Sequence, residues 1–166
     1  MKTILSRQQL EITIRRLCQQ ILENHLNAED VVLIGIQPRG TKLSDRLSAI
    51  IATEASMNYG RLDITFYRDD IRKELHIANK TDINFSIEDK TVILIDDVLY
   101  TGRTIRAALD ALLDFGRPKK VELCVLIDRR FSRELPIQPD YCGKAIDSIT
   151  SQKVKVEWDR EEVVLY

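Results

Sequence analysis

Apolar positions along the chain alternate between helical spacing and short unbroken runs. Leu10, Ile14, Leu17 and Ile21 recur at helical intervals and leave Arg15, Gln19 and Glu23 facing outward. Ser6-Arg7-Gln8-Gln9 ahead of them reads as a capping box, so the spacing predicts a helix from there to about Leu26. The run VVLIGI at 31–36 is too brief for a helix and too continuous for a half-exposed strand. It suits a parallel strand covered on both faces. A turn at Gln37-Pro38-Arg39-Gly40 follows, then a helical pattern through Leu43, Leu47 and Ile50. Further strands are expected at 62–67, 91–95 (TVILI) and 121–127. A helix marked by Ile105, Ala108, Leu109 and Leu112 should end at Gly116 and Pro118. From Asp128 the pattern predicts an irregular, Pro-containing segment and two last strands at 154–158 and 163–166.

Strands alternating with helices imply βαβ units, so the expected fold class is α/β: an open parallel sheet flanked by helices. The 166 residues predict one domain. Within it, 68–84 forms a flexible loop or protruding hairpin, and 128–166 forms a small C-terminal hood with the terminal strands. Segment 68–84 is long and highly charged for a connection in a compact domain. Ligands of such sheets sit at the carboxyl ends of the strands, where the strand order reverses.

Composition narrows the function. With 25 Lys+Arg against 26 Asp+Glu the net charge is -1, which argues against a protein that coats DNA through bulk positive field. Cys18, Cys124 and Cys142 form no Cys-x-x-Cys pair. With no signal peptide evident, they suggest reduced thiols and a cytoplasmic protein. Two separated histidines, His25 and His76, are too few for a zinc centre or a Ser-His-Asp triad. No apolar run approaches the roughly 20 residues of a membrane span, so no membrane partner is expected.

The segment 91–104 carries the chemistry. A buried strand is expected to present Asp96 and Asp97 to solvent at its end. Thr101-Gly102-Arg103-Thr104 then opens a helix. Unpaired amides at that helix start, two hydroxyls and a Gly that lets the backbone close around an anion make a phosphate cradle. The paired carboxylates suit the two neighbouring hydroxyls of a ribose and could help hold hydrated magnesium. An isolated Asp-Asp pair is usually a solvated loop feature. Four apolar residues, two acids, three spacers and Thr-Gly-x-Thr are far more restrictive. The Gly-Lys-Thr ending of a Walker loop is absent.

Residues 92–104 resemble the phosphoribosyl-pyrophosphate signature of the type I phosphoribosyltransferases. The segments Gly35-Ile36-Gln37-Pro38-Arg39-Gly40, Asp63 through Asp70, Asp97 through Thr104 and Arg133-Glu134-Leu135-Pro136-Ile137 extend the likeness over nearly the whole chain. They are similar to the branch that couples uracil phosphoribosyl transfer with attenuation of pyrimidine operons. This resemblance implies that Asp96 and Asp97 bind the ribose hydroxyls and, indirectly, Mg2+ held with phosphoribosyl pyrophosphate. The loop Val98, Leu99, Tyr100, Thr101, Gly102, Arg103 and Thr104 would hold the 5'-phosphate. Pro38, Arg39 and Gly40 would form the pyrophosphate loop, with Gly40 permitting close backbone approach. Arg68 would open the catalytic loop, and Asp128 and Arg129 would begin the base-recognising hood. The implied catalytic set is Asp96, Asp97, Arg39 and Arg68, the arginines stabilising the leaving group.

The implied substrates are uracil and phosphoribosyl pyrophosphate, with UMP or UTP as effectors and pyrimidine leader RNA as a further partner. Tyr100 stands where the purine-salvage branch carries an Asp, which argues against a purine and leaves no evident general base. Arg15, Arg16, Arg133 and Lys144 are the candidates for an RNA face. Gln19, Asn24 and Gln138 stand where that branch would place basic or imidazole side chains. The alternatives are a nucleotide sensor without significant catalysis and a transferase without RNA binding. The resemblance also implies a homodimer or higher homo-oligomer.

Overall fold

A computed structural model describes residues 1–69 and 81–166 of the chain. Its centre is a five-stranded sheet in which every neighbouring pair is parallel. The strands are β2 (Val31–Ile36), β3 (Asn58–Leu62), β4 (Thr91–Leu99), β5 (Lys120–Arg130) and β6 (Tyr141–Asp147). Their order is β3-β2-β4-β5-β6. A separate three-stranded antiparallel sheet joins β1 (Lys2–Leu5), β8 (Glu162–Leu165) and β7 (Val154–Glu157), with β8 in the middle.

Both faces of the central sheet are covered, which explains why its strands read as unbroken apolar runs. Val31, Leu33, Ile93 and Ile95 pack against α1 (Arg7–Asn24) and α2 (Gly40–Ile51). Val32, Ile34, Val92 and Leu94 point the other way, against α3 (Arg103–Leu112). The α1 start is the expected capping box. Ser6 N–H donates to Gln9 Oε1 at 2.9 Å, and Gln9 N–H donates to Ser6 Oγ at 3.4 Å.

Five elements differ from the sequence expectation. The strand expected at 62–67 lies earlier, at Asn58–Leu62, because Asp63 ends it. The Asp63 carboxylate accepts from Thr65 N–H (3.2 Å) and Thr65 Oγ1–H (2.7 Å), folding Thr65–Tyr67 into a 3₁₀ turn. The segment after Asp128 contains an edge strand, β6, whose half-exposed residues hide the pattern. Gly143 is needed there, since a Cβ would lie 2.4 Å from Leu126 O and 2.8 Å from Thr13 Cγ2. Strand β1 was not expected, since its pairing is wholly with distant β8. Finally, β4 and β5 run three or more residues past their predicted ends, carrying Asp96, Asp97, Asp128 and Arg129 into the sheet.

The expected loop 68–84 lies mostly outside the described residues. At its far end Thr81 Oγ1 accepts from Asp63 N–H at 2.9 Å, and Asp82 bridges Arg61 of β3 in both directions at 2.9 Å.

Candidate active site

Strand order reverses between β2 and β4, so the loops leaving their carboxyl ends diverge to opposite sides and open a crevice. A cavity of about 770 Å³ occupies it. Pro38 and Arg39, Asp96 and Asp97, and Thr101 to Thr104 all line it. Of the residues expected to bind substrate, only Gly40 and Asp128 fail to line it.

The acid pair is not presented to solvent as expected. Because β5 continues alongside β4, with Asp96 opposite Val125 and Val98 opposite Ile127, the carboxyls lie in the sheet end at 6% and 7% exposure. Asp96 Oδ1 accepts Asp97 N–H at 2.9 Å, and Asp97 Oδ1 accepts Val98 N–H at 2.7 Å. Burial raises the proton affinity of Asp97 above that of an ordinary Asp and that of Asp96 well above it. The charge of Asp97 raises Asp96 further, and the Arg39 guanidinium partly offsets both. Two carboxylates kept costly to ionise are poised to accept a cation, a hydroxyl proton or developing positive charge.

Helix α3 starts as the motif requires. Gly102 is its N-cap, at φ 94°, a conformation that a Cβ would strain. Thr101 Oγ1 accepts from Arg103 N–H at 3.3 Å. Arg68, expected to open the catalytic loop, lies against this helix start: its Nη1 donates to Thr104 Oγ1 at 3.1 Å. Gly40 opens α2, and its close approach is to β4. A Cβ there would stand 2.3 Å from Ile95 O, so the glycine seats the Arg39 turn directly on the strand carrying the acids.

The residues expected to form the hood are tied into the fold. Asp128 is paired with Arg133, and Arg133 also donates to Tyr100 O (2.8 Å) and Ile137 O (2.7 Å). Arg129 is buried over the Tyr100 ring, 4.0 Å from its centroid. It donates to Ser148 Oγ (2.8 Å), Ile149 O (3.3 Å) and Gln152 O (3.0 Å). These two arginines therefore brace the cavity wall. Of the other RNA candidates, Arg16 donates to the carbonyls of Cys142 and Gly143. Lys144 donates to Ile4 O at 3.2 Å, and Arg15 is exposed beside Glu11.

Sequence reasoning missed Gln37, Glu134 and Val154 in the cavity wall. It also missed an adjoining recess of about 580 Å³, to which Lys42, Lys153, Lys155, Val156, Trp158 and Tyr166 contribute. Gln37 and Glu134 lay inside the segments that carried the resemblance, whereas no local signal marks the recess, where distant segments converge.

Residues 1–161 match the phosphoribosyl transferase domain family. The chain belongs to the type I phosphoribosyltransferases. It is 47% identical over 169 residues to the bifunctional protein PyrR of Desulfosudis oleivorans, covering 98% of this chain and 93% of that one. Identity to the protein of the same name from Haemophilus ducreyi is 45% over 171 residues, with the same coverage. Among solved structures, the hypoxanthine phosphoribosyltransferase of Trypanosoma cruzi superposes with TM-score 0.73 at 17% identity, covering 99% of this chain and 95% of that one. A hypoxanthine-guanine phosphoribosyltransferase of Bacillus anthracis gives 0.70 at 21% identity, covering 89% and 82%. At such identities the superpositions show the fold alone. No helix among the described residues of this phosphoribosyltransferase is long and apolar enough to cross a membrane.

Proposed function

We propose that this phosphoribosyltransferase joins uracil to phosphoribosyl pyrophosphate, forming UMP and releasing pyrophosphate. The observation carrying this reading is the buried acid pair lining one cavity with an anion-binding helix start and the Arg39 turn. A sugar lying over Asp96 and Asp97 would give its hydroxyls to the carboxylates, with its 5'-phosphate on the Thr101 to Thr104 amides. As the bond from the sugar carbon to pyrophosphate lengthens, positive charge grows on the ribose and negative charge on the departing oxygens. Arg39 would meet the latter, and the acid pair would favour the former.

Among the described residues no three His, Cys, Asp or Glu side chains gather as a metal cluster. Two neighbouring carboxylates fit a magnesium whose remaining ligands are substrate oxygens and water. Bound there, magnesium would neutralise the leaving pyrophosphate. The base would enter from the recess lined by Val98, Val154, Val156 and Trp158, whose apolar faces suit a flat ring.

Incubation with phosphoribosyl pyrophosphate, magnesium and each of uracil, hypoxanthine and guanine, with products separated by chromatography, tests the reading. UMP should form and the purine nucleotides should not. A preference for a purine, or no product with any base, refutes uracil transfer.

The relatives' name, bifunctional protein PyrR, supports a second role as a UMP- or UTP-responsive regulator binding pyrimidine leader RNA. Arg16, Arg133 and Lys144 are engaged with main-chain carbonyls, so RNA phosphates would have to share those cations or find others. Gel shifts with leader RNA at two salt concentrations test this role. Binding no tighter than to unrelated RNA rejects it.

A further inference from the structure

We propose that Arg68 is a ligand of the substrate's 5'-phosphate, not of its leaving pyrophosphate, and that Arg103 is the positioning residue that keeps it there. The inference rests on reading the Thr101 to Thr104 turn as a phosphate cradle.

The turn ends in Thr104, whose hydroxyl already accepts from Arg68 Nη1 at 3.1 Å. An anion seated on the first free amides of α3 would therefore lie beside a guanidinium. A helix start and an arginine approaching together form a charge-assisted pair of contacts suited to a phosphate dianion.

Arg68 is placed by its neighbour. Asp69 Oδ2 lies 3.0 Å from Arg103 Nη1 and 3.4 Å from Arg106 Nη2, and Arg106 also donates to Tyr67 O at 3.4 Å. Arg103 reaches a second carboxylate, with its Nε 2.5 Å from Glu134 Oε2. Glu134 is fixed in turn, since its N–H donates to Thr101 O at 2.9 Å. One guanidinium thus joins three segments: the chain leading out of the 3₁₀ turn, the first turn of α3 and the hood.

Each ion pair here is about one third to one half exposed, so none adds much stability alone. The planar fork instead contributes geometry, because its separate N–H groups are aimed at two carboxylates at once. Asp69 and Glu134 also hold Arg103 in place, and Arg68 Nη1 reaches the cradle hydroxyl. Lysine at 103 would keep the charge but not both directed contacts.

Ribose 5-phosphate and inorganic pyrophosphate, titrated separately by calorimetry into the full chain with magnesium, distinguish the two possible roles of Arg68. Arg68→Ala should weaken ribose 5-phosphate about ten-fold or more, the usual consequence of losing one charge-assisted hydrogen bond, and pyrophosphate less than about two-fold. Arg103→Ala should weaken ribose 5-phosphate about three-fold or more while pyrophosphate again changes little, and Arg103→Lys should restore only part of the loss. Unchanged pyrophosphate affinity reports that each variant is folded. Should Arg103→Ala fail to fold, Asp69→Asn combined with Glu134→Gln removes the same links without altering α3 and carries the same expectation. A larger loss for pyrophosphate than for ribose 5-phosphate in Arg68→Ala overturns the phosphate assignment. Ribose 5-phosphate affinity within two-fold of the parent in Arg103→Ala overturns the positioning role. These titrations contain no base, so failure of uracil transfer would leave their outcome intact.

Discussion

Carboxylates are buried at both ends of the central sheet, and the two ends treat them in opposite ways. At the amino end of β5, Glu122 is 6% exposed. Burial alone would push its proton affinity up. Hydrogen bonds from the His25 ring (2.6 Å), Lys120 (3.1 Å) and Tyr141 (2.9 Å) outweigh this and hold it below an ordinary Glu. At the carboxyl end of β4, Asp96 and Asp97 are equally buried. They face each other with only the partial help of Arg39, and both remain raised. The first cluster is satisfied by the protein and serves the fold. The second lines the crevice where strand order reverses, and on the function proposed above it is left for the substrate. Equal burial therefore says little about role, whereas the balance of partners says much.

Substitutions should separate the two ends. The largest effect is expected for Asp97→Asn, which should cut nucleotide formation about 100-fold or more. Its melting temperature should hold or rise, because an ionised carboxylate disfavoured by burial is gone. A variant that is fully active but less stable would place Asp97 with Glu122 as a structural acid.

Glu122→Ala should do the reverse, costing about 2 to 4 kcal/mol in urea denaturation by stranding the groups around it, with the Michaelis constants unchanged. The pH dependence follows the same division. Glu122 is depressed in the folded state, so its stabilisation is present above the ordinary Glu value of 4.5 and is lost as pH falls below it. Asp96 and Asp97 are raised, so their destabilisation grows as pH climbs past the ordinary Asp value of 3.8 toward their folded values. Stability curves should accordingly flatten on the acid side in Glu122→Gln and on the neutral side in Asp96→Asn. Curves parallel to the parent in both variants would contradict this assignment of charge.

The smallest effect is expected for Gly102→Ala. The positive φ costs about 1 kcal/mol, measurable as a lowered melting temperature, with weakened binding of a 5'-phosphate as the cradle amides shift. Loss of stability without loss of phosphate affinity would separate the helix cap from the cradle.

The readable part of this molecule was local. Ser6 and Gln9 announce the start of α1 within four residues, and 92–104 announces strand, acids and helix start within thirteen. The unread part depends on distant partners. β1 exists through β8, and β6 is an edge strand lying against α1 whose apolar residues form neither an unbroken run nor a strict alternation. Arg129 and Arg133 were singled out from the sequence. That they would be spent on Tyr100 and on carbonyls was not legible there.

By itself, then, the sequence determined the kind of elements, the acid pair, the glycine at the helix start and the arginines near them, because periodicity and backbone conformation act over a few residues. The tertiary structure alone decided that β5 would outrun its apolar stretch and enclose Asp96 and Asp97. It also decided that Arg68 would come to rest on Thr104 and that Glu134 would cross to Arg103. Burial and charge pairing are properties of neighbours, and neighbours are set by the fold.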